Sequence, residues 1–394
     1  MHLPTFTASE VLQSSARIID LRSPAEFQRD HMPGAINVPL LDNEQRALVG
    51  TLYARESPEM AFERGLEIAE ERMEGMMGKI LGRSLSKEKW IGKFKRIAGQ
   101  LRRPIPQAVP RTLGSIAEPE KGLVILHCWR GGMRSQSVAM LLRALGEQQV
   151  MVMEGGYKAY RTTVMRQLSS MKSVDLNFAA LRGPTGVGKT AILRRLEGRR
   201  PNTTLDLEDL AQHRSSVLGA VGLNPVSQPR FETLLLSRLG QLFPSSVGCS
   251  GSGCDPAPRF VEGESRKVGN AVVPSAVFVA MEDAPQIRLM APLEYRIELL
   301  GKEYLTTPAH RQQTIESLKG LRKKLGCAMV EKLASQIAGE EWRAAAETLL
   351  EEHYDPLYRR DERGRKWFAE LDVTETGFDD QLEGILDSLR VRTR

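Results

Sequence analysis

The sequence predicts an α/β fold made of two parallel-sheet domains, the second ending in a helical region. Short apolar strands alternate with helical segments along most of the chain, which is typical of parallel sheets. A glycine-containing loop that leads into a helix follows an apolar strand twice, first after LVIL and again after FAAL. A length of 394 residues suits two domains, or three. We expect domains at 1–172 and 173–394, because apolar density falls near 169–177.

The first domain is expected to contain strands at IIDL, INVPL, LVILHC and VMVM. A helix should start at Ser23-Pro24, because proline suits the first helical turn. Residues 56–103 lack β-branched runs and are rich in Glu, Met, Leu, Lys and Arg. This composition predicts a long helical insertion.

The second domain is expected to begin with a strand at FAAL, followed by TTLDLEDL and the amphipathic helix FETLLLSRLGQLF. RFVE offers only a stub of apolar strand, and we interpret YRIELL as a further strand. From Thr314 onward the pattern predicts helices with charged faces. The Gly- and Ser-rich segment 245–258 is interpreted as a variable loop; Cys249 and Cys254 have no His nearby, so we expect no metal site there.

Charge and cysteine content narrow the functional classes. The chain carries 55 Lys and Arg against 49 Asp and Glu, a net charge of +6, which permits a polyanionic partner. Four cysteines are too few and too scattered for a disulfide framework, which favours a reducing compartment. The chain starts without a signal-peptide pattern, and no apolar run approaches the roughly 18–20 residues that span a membrane. We therefore expect a cytoplasmic protein without a membrane partner.

The segment HCWRGGMRS predicts an anion-binding loop that carries a nucleophile. Cys128 follows an apolar strand and precedes a helix, where unpaired amide groups and the helix dipole stabilise a thiolate. Two glycines let the loop curl so that its N–H groups point inward, and an arginine can close over a bound anion. A buried structural cysteine is the alternative. The candidate loop consists of Cys128, Trp129, Arg130, Gly131, Gly132, Met133, Arg134 and Ser135.

Three stretches, DLRSPAEFQRDHMPGAINVP, LVILHCWRGGMRSQSVA and VMVMEGGYKAYR, resemble the motifs of rhodanese domains. The resemblance implies that Cys128 is the position that carries a persulfide or perselenide. The loop also reads His-Cys-x5-Arg-Ser, the signature of cysteine phosphatases, and is wider than the usual Cys-x4-Arg loop of sulfurtransferases. A cysteine phosphatase, a persulfide sulfurtransferase and a transferase whose chalcogen donor contains phosphate all remain open at this point.

The segment GPTGVGKT matches the phosphate-binding pattern G-x4-G-K-[ST] in full, between an apolar strand and a helix. Such a loop surrounds a diphosphate with backbone N–H groups, and Lys189 reaches its oxygens. Thr190 is a candidate ligand for Mg²⁺. The pattern predicts a domain like that of P-loop NTPases, but it specifies a diphosphate rather than a base. The predicted diphosphate site comprises Gly183, Pro184, Thr185, Gly186, Val187, Gly188, Lys189 and Thr190.

Hydrolysing P-loop enzymes also need an apolar strand that ends in an acid for Mg²⁺. RFVEGES offers Glu262 and Glu264 after a stub of strand, so a hydrolytic apparatus is not established and no dedicated metal centre is predicted. Further polar residues of this domain are plausible phosphate or substrate contacts, with solvated surface as the alternative. The predicted second-domain site comprises Asp206, Glu208, His213, Arg214, Glu264, Ser265 and Arg266.

Between Lys79 and Arg103 the chain carries nine basic residues against one acid, Glu88. Cations interleaved with aromatics are what backbone contact and base stacking on RNA require, although a basic helix with a buried aromatic stripe is the alternative. Two later basic groups, at 319–324 and 358–367, are interpreted mainly as solvated surface. The RNA-binding candidates are Lys87, Lys89, Trp90, Lys93, Lys95, Arg96, Arg102 and Arg103.

The two domains together resemble the tRNA 2-selenouridine synthase family across essentially the whole chain, through CWRGGMRSQS, EGGYKAYR, GPTGVGKT, DLEDLAQHR, ESRKVG and YDPLY. The resemblance implies a transferase that replaces the sulfur of 2-thiouridine at the tRNA wobble position by selenium from selenophosphate. It also implies an S-geranylated intermediate made from geranyl diphosphate. It implies tRNA as a partner, a selenophosphate-producing enzyme as a further candidate partner, and no tightly bound cofactor besides the two co-substrates.

Overall fold

The computed structural model describes residues 3–101, 122–244, 257–263 and 265–392. The chain divides into two compact units, Met1–Arg166 and Gln167–Arg394, and each has its own sheet. No helix within the described ranges is long and apolar enough to cross a membrane.

The first unit is built on a parallel sheet of short strands. These are β1 (Thr5–Phe6), β2 (Arg17–Asp20), β3 (Ile36–Asn37), β4 (Val124–His127) and β5 (Val150–Met153). They pair in the order β1-β5-β4-β2-β3 with every pairing parallel. β4 lies at the centre and all of its residues are buried, so its C-terminal end lies at the middle of the sheet edge.

Helices flank this sheet, as the alternating sequence pattern predicts. They are α1 (Ala8–Gln13), α2 (Pro24–Arg29), α3 (Asn43–Arg55), α4 (Pro58–Leu81), α5 (Lys87–Leu101), α6 (Met133–Ala144) and α7 (Gly156–Ser170). The predicted start of α2 is confirmed, because Ser23 and Glu26 form a capping box and Pro24 occupies the first turn. The predicted helical insertion is also confirmed, since α4 and α5 fill most of it.

The insertion belongs to the core of its unit. Met73 and Met77 of α4 and Trp90 and Phe94 of α5 are buried in the same apolar cluster as Leu126 of β4. Trp90 is 1% exposed and packs edge-on against Phe94. The buried apolar stripe therefore attaches the two helices to the sheet by hydrophobic packing.

The second unit contains a second parallel sheet and a small antiparallel pair. Its strands are β6 (Phe178–Arg182), β7 (Thr204–Leu205), β8 (Arg259–Glu262), β9 (Lys267–Val268), β10 (Ala271–Val272), β11 (Gln286–Met290) and β12 (Ala369–Asp372). The parallel sheet has the order β12-β11-β6-β8-β7, and β9 pairs with β10. The RFVE stub is β8, whose four residues are all buried beside the central strand β6.

The helices of the second unit make two layers. They are α8 (Lys189–Arg199), α9 (Leu207–Ala211), α10 (Gln228–Leu242), α11 (Ser275–Asp283), α12 (Leu293–Tyr304), α13 (Pro308–Leu318), α14 (Arg322–Leu325), α15 (Cys327–Ala338), α16 (Trp342–Leu349), α17 (Asp355–Asp361) and α18 (Phe378–Arg392). α8 and α18 pack on the sheet, whereas α12, α13, α15 and α16 enclose a separate apolar core.

The predicted strand at YRIELL is wrong, because these residues lie within α12. Ile297 and Tyr304 are buried and Leu300 packs against the same cluster, a spacing of three and four residues that suits a helix rather than a strand. The sheet instead takes its edge strand, β12, from the C-terminal region that the sequence predicts as helical. The rest of that region is helical as predicted.

Candidate functional site

Cys128 lies directly after β4 and before α6, where the sequence places it. Its side chain is buried, and its Sγ atom lies 3.3 Å from the hydroxyl of Ser135. Ser135 Oγ donates to the carbonyl of Gly132 at 3.2 Å. No side chain caps α6 at Gly132, so the first N–H groups of this helix face the loop without a capping oxygen. The loop therefore combines a thiol with an anion-binding helix start.

The backbone of the Cys128 loop packs against the turn that begins α7. Gly131 and Gly156 have φ values of +63° and +57°, and a Cβ on Gly156 would lie 2.3 Å from Cys128 O. Tyr157 N donates to Cys128 O at 2.9 Å, and Lys158 N donates to Trp129 O at 2.9 Å. The EGGYK stretch therefore holds the loop in place through its backbone, and glycine is needed where the two chains touch.

Buried charged side chains contact the ring and the hydroxyl of Tyr157. The Tyr157 hydroxyl donates to Asp30 Oδ2 at 2.7 Å, and the Arg22 guanidinium lies 3.6 Å from the Tyr157 ring centroid. Arg22 also binds Asp20 at 2.6 Å, with both side chains almost fully buried. Burial and the bond to Asp30 raise the pKa of Tyr157, so the phenol stays protonated and keeps donating. Positive Arg22 lies between the negative side chains of Asp20 and Asp30, and this alternation offsets the cost of burying the three charges.

His127 precedes the cysteine but contributes no charge to the loop. Its side chain is fully buried, and among the described residues neither ring nitrogen has a hydrogen-bond partner. Burial lowers the pKa of His127, so the ring is neutral near pH 7. Asp20 Oδ2 lies 3.7 Å from its Nε2 atom. Burial raises the pKa of Asp20, but the interaction with His127 and the hydrogen bonds and charge of Arg22 together outweigh it and leave that pKa below its ordinary value.

The remaining side chains of the predicted loop point in different directions. Arg130, Trp129 and Met133 are exposed, and the Trp129 ring lies 5.4 Å from the Tyr157 ring. Arg134 Nη1 is 3.6 Å from Glu26 Oε2. An anion bound in the loop would therefore compete with Glu26 for the Arg134 guanidinium.

The second anion loop, residues 183–190, joins β6 to α8. Lys189 Nζ donates to Gly183 O at 2.9 Å and lies 5.5 Å from the ring centroid of Tyr358. Gly183 has a φ of +155°, and a Cβ there would lie 2.5 Å from Leu289 O. Gly188 has a φ of +90° at the start of α8. The lysine thus folds back over a loop whose glycines are required by backbone geometry and packing.

Two carboxylates meet at the hydroxyl of Thr190. Thr190 Oγ1 lies 3.0 Å from Glu208 Oε2 and 2.9 Å from Glu262 Oε1. Glu208 N donates to Glu262 Oε2 at 3.1 Å, and Glu262 is fully buried. A single hydroxyl proton cannot serve both carboxylates at once, whereas oxygen donors of this kind suit Mg²⁺. Within the described ranges no group of three or more His, Cys, Asp or Glu side chains could hold a metal ion.

The sequence offers Glu262 as an acid after the stub of strand, but the predicted second-domain site does not include it. The four-residue strand β8 carries it, and the pairing of β8 with β6 brings its carboxylate beside the P-loop. Glu264, the acid predicted instead, lies outside the described residues. The register of a parallel pairing between strands about 80 residues apart is a long-range property that local patterns do not reveal.

A cavity of about 740 Å³ opens above the P-loop of the second unit. Four residues of the predicted second-domain site line this cavity: Glu208, His213, Arg214 and Ser265. Lys267 also lines it, although the predicted site does not include this residue. Burial, with a smaller effect from Arg214, lowers the pKa of His213. The cavity therefore brings several predicted polar residues to the phosphate loop.

Two residues of the predicted second-domain site do not line the cavity. Asp206 caps α9 by accepting from Asp209 N at 2.7 Å, and burial raises its pKa to about 6. Arg266 donates to Ser275 Oγ at 3.0 Å. Both substrate contacts stay predictions, and in this structure each side chain takes part in a local hydrogen bond.

An apolar slot adjoins the cavity and shares four of its residues. Leu218, Leu305, Ile337, Trp342 and Leu349 line the slot. The residues common to both spaces are Thr185, Leu300, Tyr304 and Tyr354. The polar cavity and the apolar slot are thus adjacent at Thr185 of the P-loop.

A buried ion pair braces the P-loop. Arg296 Nε donates to Thr185 O at 2.8 Å, and its Nη1 donates to Asp355 Oδ2 at 3.0 Å. Asp355 begins α17, the helix that carries Tyr358. One guanidinium therefore connects the loop backbone to the helix whose tyrosine faces Lys189.

The basic segment of the first unit is only partly available to RNA. Lys89, Lys95 and Arg96 are exposed, whereas Lys87 pairs with Glu70 at 3.1 Å and Lys93 donates to Ala144 O at 2.8 Å. Trp90 is buried in the core, so the prediction that it stacks on RNA bases is wrong. Two further candidates, Arg102 and Arg103, lie outside the described residues.

The family model described as the tRNA 2-selenouridine synthase AAA domain matches residues 176–373, about half of the chain, and includes the P-loop. The chain belongs to the tRNA 2-selenouridine synthase family. A rhodanese-like domain model matches residues 7–62 and 98–163 of this family member, and its second range includes the Cys128 loop.

Two curated relatives carry the name tRNA 2-selenouridine synthase. The one from Nitrosomonas europaea is 30% identical over 299 residues, which are 76% of this chain and 66% of that protein. The one from Chromohalobacter salexigens is 29% identical over 387 residues, which are 91% of each chain. A solved N-terminal domain from a Clostridium difficile protein is 26% identical and covers 41% of this chain and 99% of its own, with a TM-score of 0.27 too low to support a structural argument.

Proposed function

We propose that this chain converts 2-thiouridine at the wobble position of tRNA into 2-selenouridine, in two steps that use separate anion loops. The observation that carries the proposal is that each unit has its own strand–loop–helix anion site. One site contains the thiol of Cys128 and the other contains Lys189 and Thr190. Membership of the family and the names of both curated relatives support selenouridine formation as the overall reaction.

In the first step the sulfur of 2-thiouridine attacks C1 of geranyl diphosphate, and the C1–O bond breaks with its electron pair going to diphosphate. Charge develops on the departing diphosphate, so the P-loop N–H groups and Lys189 Nζ act where the transition state is most negative. Thr190, Glu208 and Glu262 would hold a Mg²⁺ ion, which would neutralise further charge on the leaving group.

The apolar residues that the cavity shares with the slot support a prenyl chain as the group transferred, because the cavity of about 740 Å³ has room for such a chain, whereas the slot itself measures only about 40 Å³. A diphosphate in the cavity places the attached chain near Leu300 and Tyr304, which belong to both spaces. Burial of apolar carbons contributes roughly 0.8 kcal/mol per CH₂, and a hydrated nucleoside would gain less from such walls.

In the second step the selenium of selenophosphate attacks C2 and forms the C–Se bond, and the C2–S bond breaks as geranyl thiolate leaves. Water then takes the phosphoryl group, so the P–Se bond breaks with its electron pair going to selenium and phosphate is released. Alkylation makes the sulfur a better leaving group, because it then departs as a thiolate from a C–S single bond, whereas the sulfur of 2-thiouridine is held in a stable thiocarbonyl. Cys128 serves this step by positioning selenophosphate, and Arg130 and Arg134 clamp the phosphate part. A perselenide on Cys128 would need a two-electron oxidant that selenophosphate does not supply. The exposed cations of α5, Lys89, Lys95 and Arg96, contact the tRNA backbone.

The test is an incubation of 2-thiouridine tRNA with the purified chain, followed by mass spectrometry of the nucleosides. Geranyl diphosphate alone should give S-geranyl-2-thiouridine, and addition of selenophosphate should give 2-selenouridine. Mg²⁺ should accelerate the first step, and a chelator should slow it. Absence of both products in the complete mixture would refute the proposal.

One observation favours a second candidate, a cysteine phosphatase. The hydroxyl of Ser135, 3.3 Å from Cys128 Sγ, could stabilise a departing thiolate when a phosphocysteine is hydrolysed. This activity requires release of phosphate from an aryl phosphate by the wild type and its loss in Cys128→Ala. No release from the wild type would exclude it.

A further inference from the structure

A group of cations lies close together in the sequence of the second unit. We call it the cationic rim, and it consists of Lys319, Arg322, Lys323 and Lys324. These residues form a short turn followed by α14, and the six-residue stretch that contains them has no acid. All four side chains are exposed.

The rim carries charge that the protein itself does not neutralise. Among the described residues, no carboxylate forms an ion pair with any of the four side chains. The contrast is with α8 of the same unit, where Arg195 pairs with Asp379 at 2.9 Å and Arg199 pairs with Glu383 at 2.9 Å. Four unpaired cations within six residues form a local positive field that attracts a polyanion.

The rim lies at the mouth of the P-loop cavity. Lys324 lines that cavity, so the rim continues outward from its wall. Lys267 of β9 lines the same cavity and is exposed, which adds a cation from a different part of the chain. The diphosphate site lies deeper, at Lys189 and Thr190, and has its own cation and N–H groups. The rim charges therefore remain for a second anionic partner.

The geometry of the reaction identifies that partner. The thiolated base must reach the carbon attached to the diphosphate, so its sugar–phosphate backbone must cross the cavity mouth. Tyr358, which is partly exposed, lines the cavity and offers an aromatic surface to an inserted base. An unpaired RNA loop can present one base in this way, whereas a duplex cannot.

We propose that the cationic rim is the docking surface for the single-stranded RNA loop that carries the target nucleotide, and that it binds the loop's phosphates while the base enters the P-loop cavity. The inference rests on the proposed function for the identity of the base. It does not rest on the cations of α5, which belong to the other unit.

The test compares two variants of the full chain. Lys319→Gln/Arg322→Gln/Lys323→Gln removes three rim charges and keeps Lys324, which lines the cavity. Lys332→Gln/Lys366→Gln is the control, because both lysines are exposed, make no ion pair among the described residues and do not line the cavity. Since every substituted side chain is exposed, both variants should fold, and thermal melting checks this.

The probe is a short RNA stem-loop with one 2-thiouridine in its loop, and binding is measured by fluorescence anisotropy at several KCl concentrations. Loss of three single-strand phosphate contacts should reduce the slope of log K against log salt by about 2 and weaken binding about 10-fold at low salt. In the geranylation assay the KM for RNA should rise by a similar factor, while kcat and the Kd of geranyl diphosphate stay unchanged. The control variant should match the wild type in all five quantities.

Different results separate the failures. A triple variant with the wild-type salt slope and KM would overturn the rim as a docking surface. Weaker binding of geranyl diphosphate in the triple variant would also overturn it, because the rim would then serve the diphosphate. If the wild type binds the stem-loop through the rim but makes no geranylated RNA, the proposed function fails and the docking surface stands.

Discussion

The Cys128 loop and the P-loop are two versions of the same backbone solution. Each follows the central strand of a parallel sheet, uses glycines where another chain segment comes close, and ends at a helix start. They differ in the side chains at that helix start. The thiol of Cys128 meets a hydroxyl, whereas the hydroxyl of Thr190 meets two carboxylates. The backbone therefore supplies anion binding in both units, and one or two side chains decide whether the loop offers a nucleophile or a cation site.

The two loops also differ in how the surrounding chain supports them. The Cys128 loop rests on Tyr157, whose hydroxyl and ring are held by Asp30 and Arg22. The P-loop is held by one guanidinium, Arg296, which is paired with Asp355.

The largest expected effect is on geranylation when the P-loop lysine is lost. Lys189→Ala removes the cation that stabilises the departing diphosphate, so the rate of S-geranyl formation should fall about 100-fold or more. Mass spectrometry of nucleosides measures this rate. RNA that already carries S-geranyl-2-thiouridine should still be selenated by the variant. Failure on this pre-geranylated RNA would show that the two loops do not act separately.

The next effect is on stability when the brace of the P-loop is broken. Arg296→Ala leaves the largely buried Asp355 carboxylate without its partner and should lower the free energy of unfolding by about 3–5 kcal/mol. Arg343→Ala breaks the exposed pair with Glu298 and should lower the free energy of unfolding far less, because water screens this pair. Urea unfolding measures both. Equal losses in the two variants would contradict the bracing role.

Asp206 gives the second unit a pH dependence of known sign. Its pKa is about 6 in the folded chain because burial favours the neutral acid, against an ordinary value of 3.8. The folded state thus binds more protons between pH 4 and 6, so this residue's contribution to stability falls as pH rises through that window and is constant above it.

Asp206→Asn should remove that dependence while keeping an oxygen to cap α9. The variant should gain up to about 3 kcal/mol on the wild type between pH 4 and pH 7, measured by urea unfolding across that range. Glu331→Gln, which removes an exposed carboxylate from α15 of the same unit, is the control. Parallel profiles for Asp206→Asn and the wild type would show that burial does not disfavour the charged form.

The smallest effect is expected beneath the Cys128 loop. Tyr157→Phe removes the hydroxyl that donates to Asp30 and should cost about 1.5–3 kcal/mol, because the acceptor is a buried carboxylate. The exposed Tyr53→Phe is the control and should be neutral. Differential scanning fluorimetry compares them. Since Cys128 O is held by the backbone of residue 157, a full loss of selenation in Tyr157→Phe would mean that the hydroxyl acts in the chemistry and not only in support.

Local sequence patterns were sufficient to predict the sheets, the helical insertion and both loops, because each loop is a strand, a glycine turn and a helix in immediate succession. They failed where long-range packing decides. Glu262 reaches Thr190 only through the pairing of β8 with β6, and Trp90 is buried because the insertion packs on the sheet. YRIELL is apolar enough for a strand, but the sheet takes β12 from a later segment.

We expect the P-loop to serve geranylation and the Cys128 loop to serve selenation, and one measurement tests this separation most directly. Cys128→Ala is assayed on both steps, with Cys327→Ala, the exposed cysteine, as control. Selenation of pre-geranylated RNA should fall about 100-fold or more, while geranylation of 2-thiouridine RNA stays within about twofold of the wild type. Equal loss of both steps, or full selenation without the thiol, would contradict the account.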